Sequence, residues 1–396
     1  MALGAPKKIR KMYNQIDERI NKVEGFALSS PYGKGESLGQ PLGVKSVGLI
    51  KVYTESGAYG LGETYAGVYA PELIQPIVSF LESYFVGRLI GDDLIFNEVQ
   101  NIPFIGGNGI LQSVFSAIEI AIWDVRGKLL EVPTCQLINK NSRQSIPAYA
   151  SSGTVIFSPD EIVADVENIL NLGYTAYKMR VGFQDWDTDI KRVQSARNTF
   201  GNNDIMVDAI MGTLRPAWSA NKAISRAKDL VDFNLRWLEE PVHPENIKGL
   251  AEVCHSKLVP IAAGEAYSGN VEYQAILDLQ AVDVLQFDAT HSGGILACSE
   301  LAKKAELMKL RSALHVWGSA VAIAANAHVA LAATSIDILE IPMVSLELTE
   351  KMWVEPPKIK NGIWYASNVP GLGVVLDDSL IYKYKFQPNS GYRLPK

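Results

Sequence analysis

Seven charged or imidazole side chains recur at similar intervals near the ends of short apolar runs, and that interval constrains the fold more than any other feature of the chain. The runs are Thr175-Ala-Tyr-Lys-Met-Arg180, Ile205-Met-Val-Asp208, Arg236-Trp-Leu-Glu-Glu-Pro241, Pro260-Ile-Ala-Ala-Gly-Glu265, Val282-Asp-Val-Leu-Gln-Phe-Asp288, Ser312-Ala-Leu-His315 and Ile336-Asp-Ile-Leu-Glu340. From Lys178 the steps to Asp208, Glu239, Glu265, Asp288, His315 and Glu340 are 30, 31, 26, 23, 27 and 25 residues. A strand, a crossover helix and two loops fill such an interval, because parallel neighbours need a helix between them. If the parallel units close into a barrel, residues at the C-terminal strand ends meet at one mouth, where barrel enzymes hold their chemistry. An open doubly wound sheet would scatter them.

The local signals agree with that reading. Ser158-Pro-Asp-Glu161 combines an N-cap serine, a proline at the first helical position and a capping-box glutamate, and Gly173 supplies the stop. Between them Ile162, Val163, Val166, Ile169 and Leu170 form one apolar face, and Ala223, Ile224, Ala227, Leu230 and Val231 repeat the spacing. The units begin at Ile146 and end near Met343, which predicts a barrel over residues 141–355. Residues 1–140 read as an α+β capping domain. It holds a Gly-rich loop at Leu28–Glu36, a hairpin (Val47–Tyr53 and Tyr59–Glu63 across Thr54-Glu-Ser-Gly57) and helices over Pro71–Phe85 and Ser113–Leu130. Residues 356–396 read as an irregular segment returning to the cap. Gly106-Gly-Asn-Gly109 lacks both the preceding strand and the Lys-Ser/Thr of a phosphate loop, so it reads as a turn before a helix.

A net charge of −6 offers no electrostatic footprint for nucleic acid or anionic lipid. The one basic run, Lys7-Lys-Ile-Arg-Lys11, reads as a solvated terminus. Three cysteines without Cys-x-x-Cys spacing cannot frame a disulfide scaffold, the Ala-rich stretch Ser319–Ala333 is too short to span a bilayer, and no signal-peptide core is visible. A cytoplasmic protein without membrane or nucleic-acid partners is expected.

Asp208, Glu239 and Glu265 at consecutive strand mouths would give three carboxylates without sulfur or imidazole, a hard donor set that selects Mg²⁺ or Mn²⁺ over zinc. Glu239 and Glu240 compete for the middle position, since strand alternation turns only one of them to the barrel axis. Asp288 and His315 end the next two strands. An aspartate on one imidazole nitrogen fixes the tautomer and raises the basicity of the other, so His315 reads as a general base, neutral and able to accept a proton near pH 7. His243, His255, His291 and His328 lack such a partner in register and read as structural. Asp283 falls at the opposite barrel end, where stability is the expected role.

These residues resemble the enolase superfamily and, within it, the mandelate racemase and acid-sugar dehydratase group. The resemblance rests on Ala117-Ile-Glu-Ile-Ala-Ile-Trp-Asp-Val-Arg-Gly-Lys128, Lys178-Met-Arg180, Asp208, Trp237-Leu-Glu-Glu-Pro241, Gly264-Glu265, Asp288, His315, Glu340 and Pro370-Gly-Leu-Gly373. It implies a (β/α)₇β barrel under a cap completed by the C-terminal segment, and a homo-oligomer. It also implies a metal site of Asp208, Glu239 and Glu265, with Glu240 behind it. The chemistry implied is removal of the proton next to a carboxylate, through an enediolate stabilised by Mg²⁺. Lys178 would contact the substrate carboxylate. Glu340 would be an electrophilic acid, kept protonated by burial. Two departures stand out. Arg180 occupies a position where the pattern has a second lysine, and a guanidinium scarcely deprotonates. Asp208-Ala-Ile210 lacks the polar residue that many relatives carry two residues after the ligand. The expected activity is dehydration of an acid sugar. A sugar-lactone cycloisomerase is the runner-up, since His315-Val-Trp-Gly318 resembles that branch, and a racemase ranks below it. A catalytically silent relative that binds a metal and a carboxylate is the non-enzymatic alternative.

Overall fold

The computed structural model describes residues 13–33 and 42–393. The basic run at Lys7–Lys11 and the Lys34–Glu36 end of the Gly-rich loop lie outside them.

Eight parallel strands close into a barrel: β4 (Ser145–Ser151), β5 (Ala176–Arg180), β6 (Asp204–Asp208), β7 (Trp237–Glu239), β8 (Ile261–Ala263), β9 (Val284–Phe287), β10 (Arg311–Leu314) and β11 (Ile336–Pro342), with β11 pairing back onto β4; they are numbered after three cap strands described below. One α-helix joins each consecutive pair, from Pro159–Asn171 to Ala320–Ala332, which makes the barrel (β/α)₇β. The first crossover is capped as its sequence dictates: Ser158 Oγ accepts from Glu161 N at 3.3 Å while Glu161 Oε2 accepts from Ser158 N at 2.7 Å.

Each barrel strand gives one side chain to a sealed interior layer: Tyr149, Ala176, Met206, Trp237, Ala262, Val284, Ala313 and Ile338. Side chains alternate along a strand, so a residue two positions further on faces the same way, one level higher. That step leads from Ala176 to Lys178, from Met206 to Asp208, from Trp237 to Glu239, from Ala313 to His315 and from Ile338 to Glu340. The apolar layer is therefore the floor on which the polar residues stand.

The cap holds an antiparallel sheet of β1 (Ile20–Pro31), β2 (Val44–Thr54) and β3 (Tyr59–Thr64), packed on the helix Gly109–Leu129. A Cβ at Gly60 or Gly62 would fall 1.9 or 1.8 Å from the carbonyl oxygens of Ala121 and Ala117, so only glycine lets β3 approach that helix. The same helix joins cap to barrel. Glu119 accepts from Ile295 N (2.7 Å), Leu296 N (3.0 Å) and Trp123 Nε1 (2.6 Å), capping the barrel helix Gly294–Leu307. Asp124 accepts from Leu61 N at 2.8 Å and Leu372 N at 2.7 Å, tying the C-terminal segment to both layers.

That segment first makes a small hairpin, β12 (Lys358–Lys360) and β13 (Ile363–Tyr365), whose second strand pairs antiparallel with β4 of the barrel. It then crosses the cap, where Ser390 Oγ lies 2.6 Å from Ser46 Oγ and Tyr392 N donates to Val68 O at 2.8 Å. The turn at Gly106–Gly109 leads into a helix, as its composition suggests. Asp283 accepts from Ile261 N at 2.9 Å and pairs with Lys257 at 2.8 Å, away from the mouth.

Candidate active site

Lys178, Asp208, Glu239, Glu265, Asp288, His315 and Glu340 all lie at the C-terminal mouth of the barrel under the cap, and Arg180 stands one level above Lys178. An inner cavity of about 110 Å³ is lined by Lys178, Arg180, Asp208, Glu265 and His315.

Lys178 is its electrostatic hub. Its ammonium lies 2.7 Å from Glu239 Oε1, 2.9 Å from Glu340 Oε1 and 3.8 Å from Asp208 Oδ2, and it is almost wholly buried. Burial alone would favour a neutral amine, but the surrounding carboxylates hold its pKa well above the ordinary value. Glu239 is further oriented by Trp237 Nε1 at 2.8 Å, and Asp208 by Ile210 N at 2.8 Å.

His315 Nδ1 lies 2.9 Å from Asp288 Oδ2. The other oxygen of Asp288 accepts from Thr290 N and Thr290 Oγ1 (2.8 Å each) and from Asn326 Nδ2 (2.9 Å). Against the cost of burial, these donors and the imidazole hold Asp288 below the usual carboxylate range. Nε2 of His315 is 3.6 Å from Glu265 Oε2.

At two positions the electrostatics of the closed site run against the expectation from sequence. Burial does press Glu340 upward, but Lys178 and His315 outweigh it and hold the carboxyl at about 2, so it is ionised where the protonated acid was expected. It accepts from Val316 N at 2.9 Å. Burial presses His315 downward, yet Glu265 and Asp288 raise it to about 9, so in this arrangement the imidazole keeps its proton at pH 7. In both cases a charged neighbour within 4 Å overrides desolvation.

Glu239 faces the barrel axis and Glu240 does not. Glu240 has φ +43°, a strained backbone for any residue but glycine, and its carboxylate faces an outer chamber of about 430 Å³ shared with Gly212, Thr213, Glu265 and His291. Burial, with Asp208 and Glu239 close by, pushes it up to about 8. His291, read as structural, thus belongs to the chamber lining, 5.7 Å from the Tyr65 ring. His328 is structural, accepting from Cys135 N at 3.0 Å. Arg180 donates to Ser152 O at 2.8 Å and to Ser151 Oγ at 3.2 Å, and burial does not depress its charge because Asp208 and Glu340 support it.

Sequence spacing missed the aromatic wall. Tyr32, Tyr65, Tyr69, Trp317 and Tyr392 line the inner cavity in one set of edge-to-face contacts, with Tyr65 5.1 Å from the His315 ring. They come from β1's end, the turn after β3, the loop after β10 and the C-terminal segment, so no periodicity connects them. The Trp317 side of the wall was visible only as part of His315-Val-Trp-Gly318.

Among the described residues, no three acidic, imidazole or thiol side chains converge closely enough to grip a cation as they stand. The donor chemistry of Asp208, Glu239 and Glu265 nevertheless fits a hard divalent ion. All three are oxygen donors at adjacent strand mouths, Asp208 is pushed to about 6 by burial and by Glu239, and Glu265 is raised well above its usual value, chiefly by burial. A cation among them would relieve that crowding.

Fold and site together define a capped (β/α)₇β barrel with carboxylates, a lysine and a histidine gathered at its mouth. Residues 40–139 match the mandelate racemase/muconate lactonizing enzyme N-terminal domain and residues 161–380 the enolase C-terminal domain-like family. The chain belongs to the mandelate racemase/muconate lactonizing enzyme family of the enolase superfamily. It is 30% identical over 345 residues to the D-xylonate dehydratase of Haloferax volcanii, covering 83% of each chain. It is 26% identical over 362 residues to the D-galactarolactone cycloisomerase of Agrobacterium fabrum, covering 85% of this chain and 90% of that one. The 3,6-anhydro-D-galactonate cycloisomerase of Zobellia galactanivorans superposes with a TM-score of 0.83 at 25% identity, over 92% of this chain and 99% of that one. No helix among the described residues is long and apolar enough to cross a membrane.

Proposed function

We propose that this protein removes the proton next to the carboxylate of an acid sugar and expels the β-hydroxyl, a Mg²⁺-dependent dehydration. The observation that carries the reading is the Asp288–His315 pair, which sets the imidazole in the lining of the cavity that Lys178, Arg180 and Asp208 also line.

Asp208, Glu239 and Glu265 would hold the cation, which when bound supplies Lewis-acid stabilisation of charge on the substrate carboxylate. Lys178 and Arg180 add fixed positive charge on the same side. With the charge of Glu265 taken up by a bound cation, the imidazole loses the proton that Glu265 helps to hold, and Nε2 of His315 can take the α-proton and return it to the departing hydroxyl, which leaves as water, the enol left behind tautomerising to a 2-keto-3-deoxy acid. Asp288 keeps the proton of Nδ1 in place. Glu340, ionised, orients Lys178 and the Val316 amide. Arg180 serves as a cation, so only the His315 face carries a competent base, which ranks racemisation below elimination. The dehydratase among the curated relatives supports this reading.

A second reading is favoured by the aromatic wall. Five flat rings suit the C–H face of a ring-closed acid, where the same proton abstraction would open the ring and conserve all atoms. The cycloisomerases named above support it.

Incubation of the protein in D₂O with Mg²⁺ and a set of aldonic, aldaric, lactone and anhydro acids, followed by proton NMR, tests both. Loss of the α-proton signal with a keto acid appearing supports dehydration, and an isomeric product supports the second reading. No exchange into any acid would leave a binding protein.

A further inference from the structure

Lys45 of β2 is almost completely buried, and its charge is used by nothing in the chemistry above. No carboxylate lies within ion-pair reach of it among the described residues. Its ammonium instead sits 3.9 Å from the centroid of the Trp317 indole and 5.3 Å from that of the Tyr32 ring. Burial, with Arg180 adding to it, holds its pKa well below the ordinary lysine value even though Glu63 opposes the shift. A desolvated ammonium without a carboxylate gains most from the face of an indole.

The indole so held is a wall of the substrate cavity. Its own N–H donates to Tyr32 Oη at 2.8 Å, and Tyr65, Tyr69 and Tyr392 meet its edges or faces at 6.2, 6.4 and 5.6 Å between centroids. A second buried charge of the cap grips the residues just beyond it. Glu63 of β3 accepts from Ser319 N at 2.9 Å, from Ser319 Oγ at 2.5 Å and from Ala322 N at 3.0 Å. Gly318 leaves no space between them, since a Cβ there would lie 2.4 Å from Glu63 Oε1. His315 is two residues before Trp317. The cap therefore reaches through the roof with one cation and one anion and clasps the segment that follows the histidine.

We infer that Lys45 is a positioning residue for substrate binding: it holds the Trp317 indole as a rigid face of the cavity, while Glu63 anchors the backbone beyond it. Lys45 lies behind the ring and outside the cavity lining, so it acts through Trp317 and touches no reacting atom. The part of this inference that concerns substrate rests on the acid-sugar reading. The part that concerns the indole does not.

The test uses the full chain labelled with 5-fluorotryptophan. Seven tryptophans give seven fluorine resonances, and Trp317→Phe identifies the one from Trp317. Lys45→Met, which keeps the stem and removes the charge, should move or broaden that resonance, leave the other six in place, and Lys45→Arg should restore it. On whichever acid is turned over, Lys45→Met should raise KM roughly tenfold, the scale of one desolvated cation–π contact, with kcat changed by less than about twofold. If Lys45→Met does not fold, Lys45→Gln carries the same expectations. A Trp317 resonance unmoved in the charge-free variant overturns the inference, as does a collapse of kcat at unchanged KM, which would put Lys45 at the reacting atoms. If no acid is turned over, the functional reading fails and the fluorine spectrum still decides the role of Lys45.

Discussion

Oδ2 of Asp288 faces Nδ1 of His315 at 2.9 Å, while Oδ1 of the same carboxylate is held by three donors from Thr290 and Asn326. This asymmetry decides what an amide would do there. In Asp288→Asn the amide oxygen must stay with the three donors, so the NH₂ group turns to His315. It then donates to Nδ1, forces the imidazole proton onto Nε2, and leaves no base facing the cavity. The expected loss in α-proton exchange is roughly 10³- to 10⁴-fold with the fold intact, as for the orienting aspartate of a catalytic triad. Steady-state exchange measured beside circular dichroism checks both halves.

Most titrating groups of the mouth make stability depend on pH in one direction, with His291, held below the ordinary imidazole value by burial, working against them. Asp208 at about 6, Glu240 at about 8 and His315 at about 9 are all raised above their unfolded values. A raised group binds its proton more tightly in the folded state, so its contribution is complete below the unfolded pKa and disappears as pH climbs through the folded one. Glu340, held at about 2, works oppositely, but its contribution is fully present above the ordinary carboxylate range and does not change from pH 5 to pH 9. Metal-free protein should therefore lose thermal stability steadily over that window. Millimolar Mg²⁺ should flatten the decline at its alkaline end, and scanning calorimetry at stepped pH would show it. A metal-free melting temperature that rises with pH would contradict the described electrostatics.

Close backbone approach makes a third expectation. Because a Cβ at position 62 would meet Ala117 O at 1.8 Å, Gly62→Ala must push β3 off the helix Gly109–Leu129. Overpacking of this kind costs about 1–3 kcal/mol, and rigid backbone on the far side places it at the upper end. Urea unfolding of the full chain, with midpoint and slope compared to wild type, measures it.

The barrel was legible because its restraint is periodic. An alternation of two and an interval of about 25–30 residues place Asp208, Glu239, Asp288, His315 and Glu340 before any contact is known, though alternation alone leaves Glu239 and Glu240 competing for one position and only the family resemblance chooses between them. The charges on those residues were less legible. Glu340 was expected to stay protonated from burial alone, whereas Lys178 at 2.9 Å decides it, and that distance depends on how far one strand is staggered against another. The aromatic wall was not legible, since Tyr32, Tyr65, Trp317 and Tyr392 converge only after the cap and C-terminal segment dock. Lys45 and Glu63 belong with them: in sequence they are an ordinary lysine and glutamate on strands, and only the closed structure shows both buried against the segment after His315.

In the proposed reaction one histidine, and not Arg180, moves the proton. The most direct measurement is α-deuterium incorporation from D₂O, at matched Mg²⁺, into an acid that the wild type exchanges, by His315→Asn and Arg180→Lys. A guanidinium would have to lose a proton of pKa above ~12 before acting as a base, so no exchange is expected from His315→Asn and retained exchange from Arg180→Lys. Wild-type exchange by His315→Asn together with an inert Arg180→Lys would contradict that expectation.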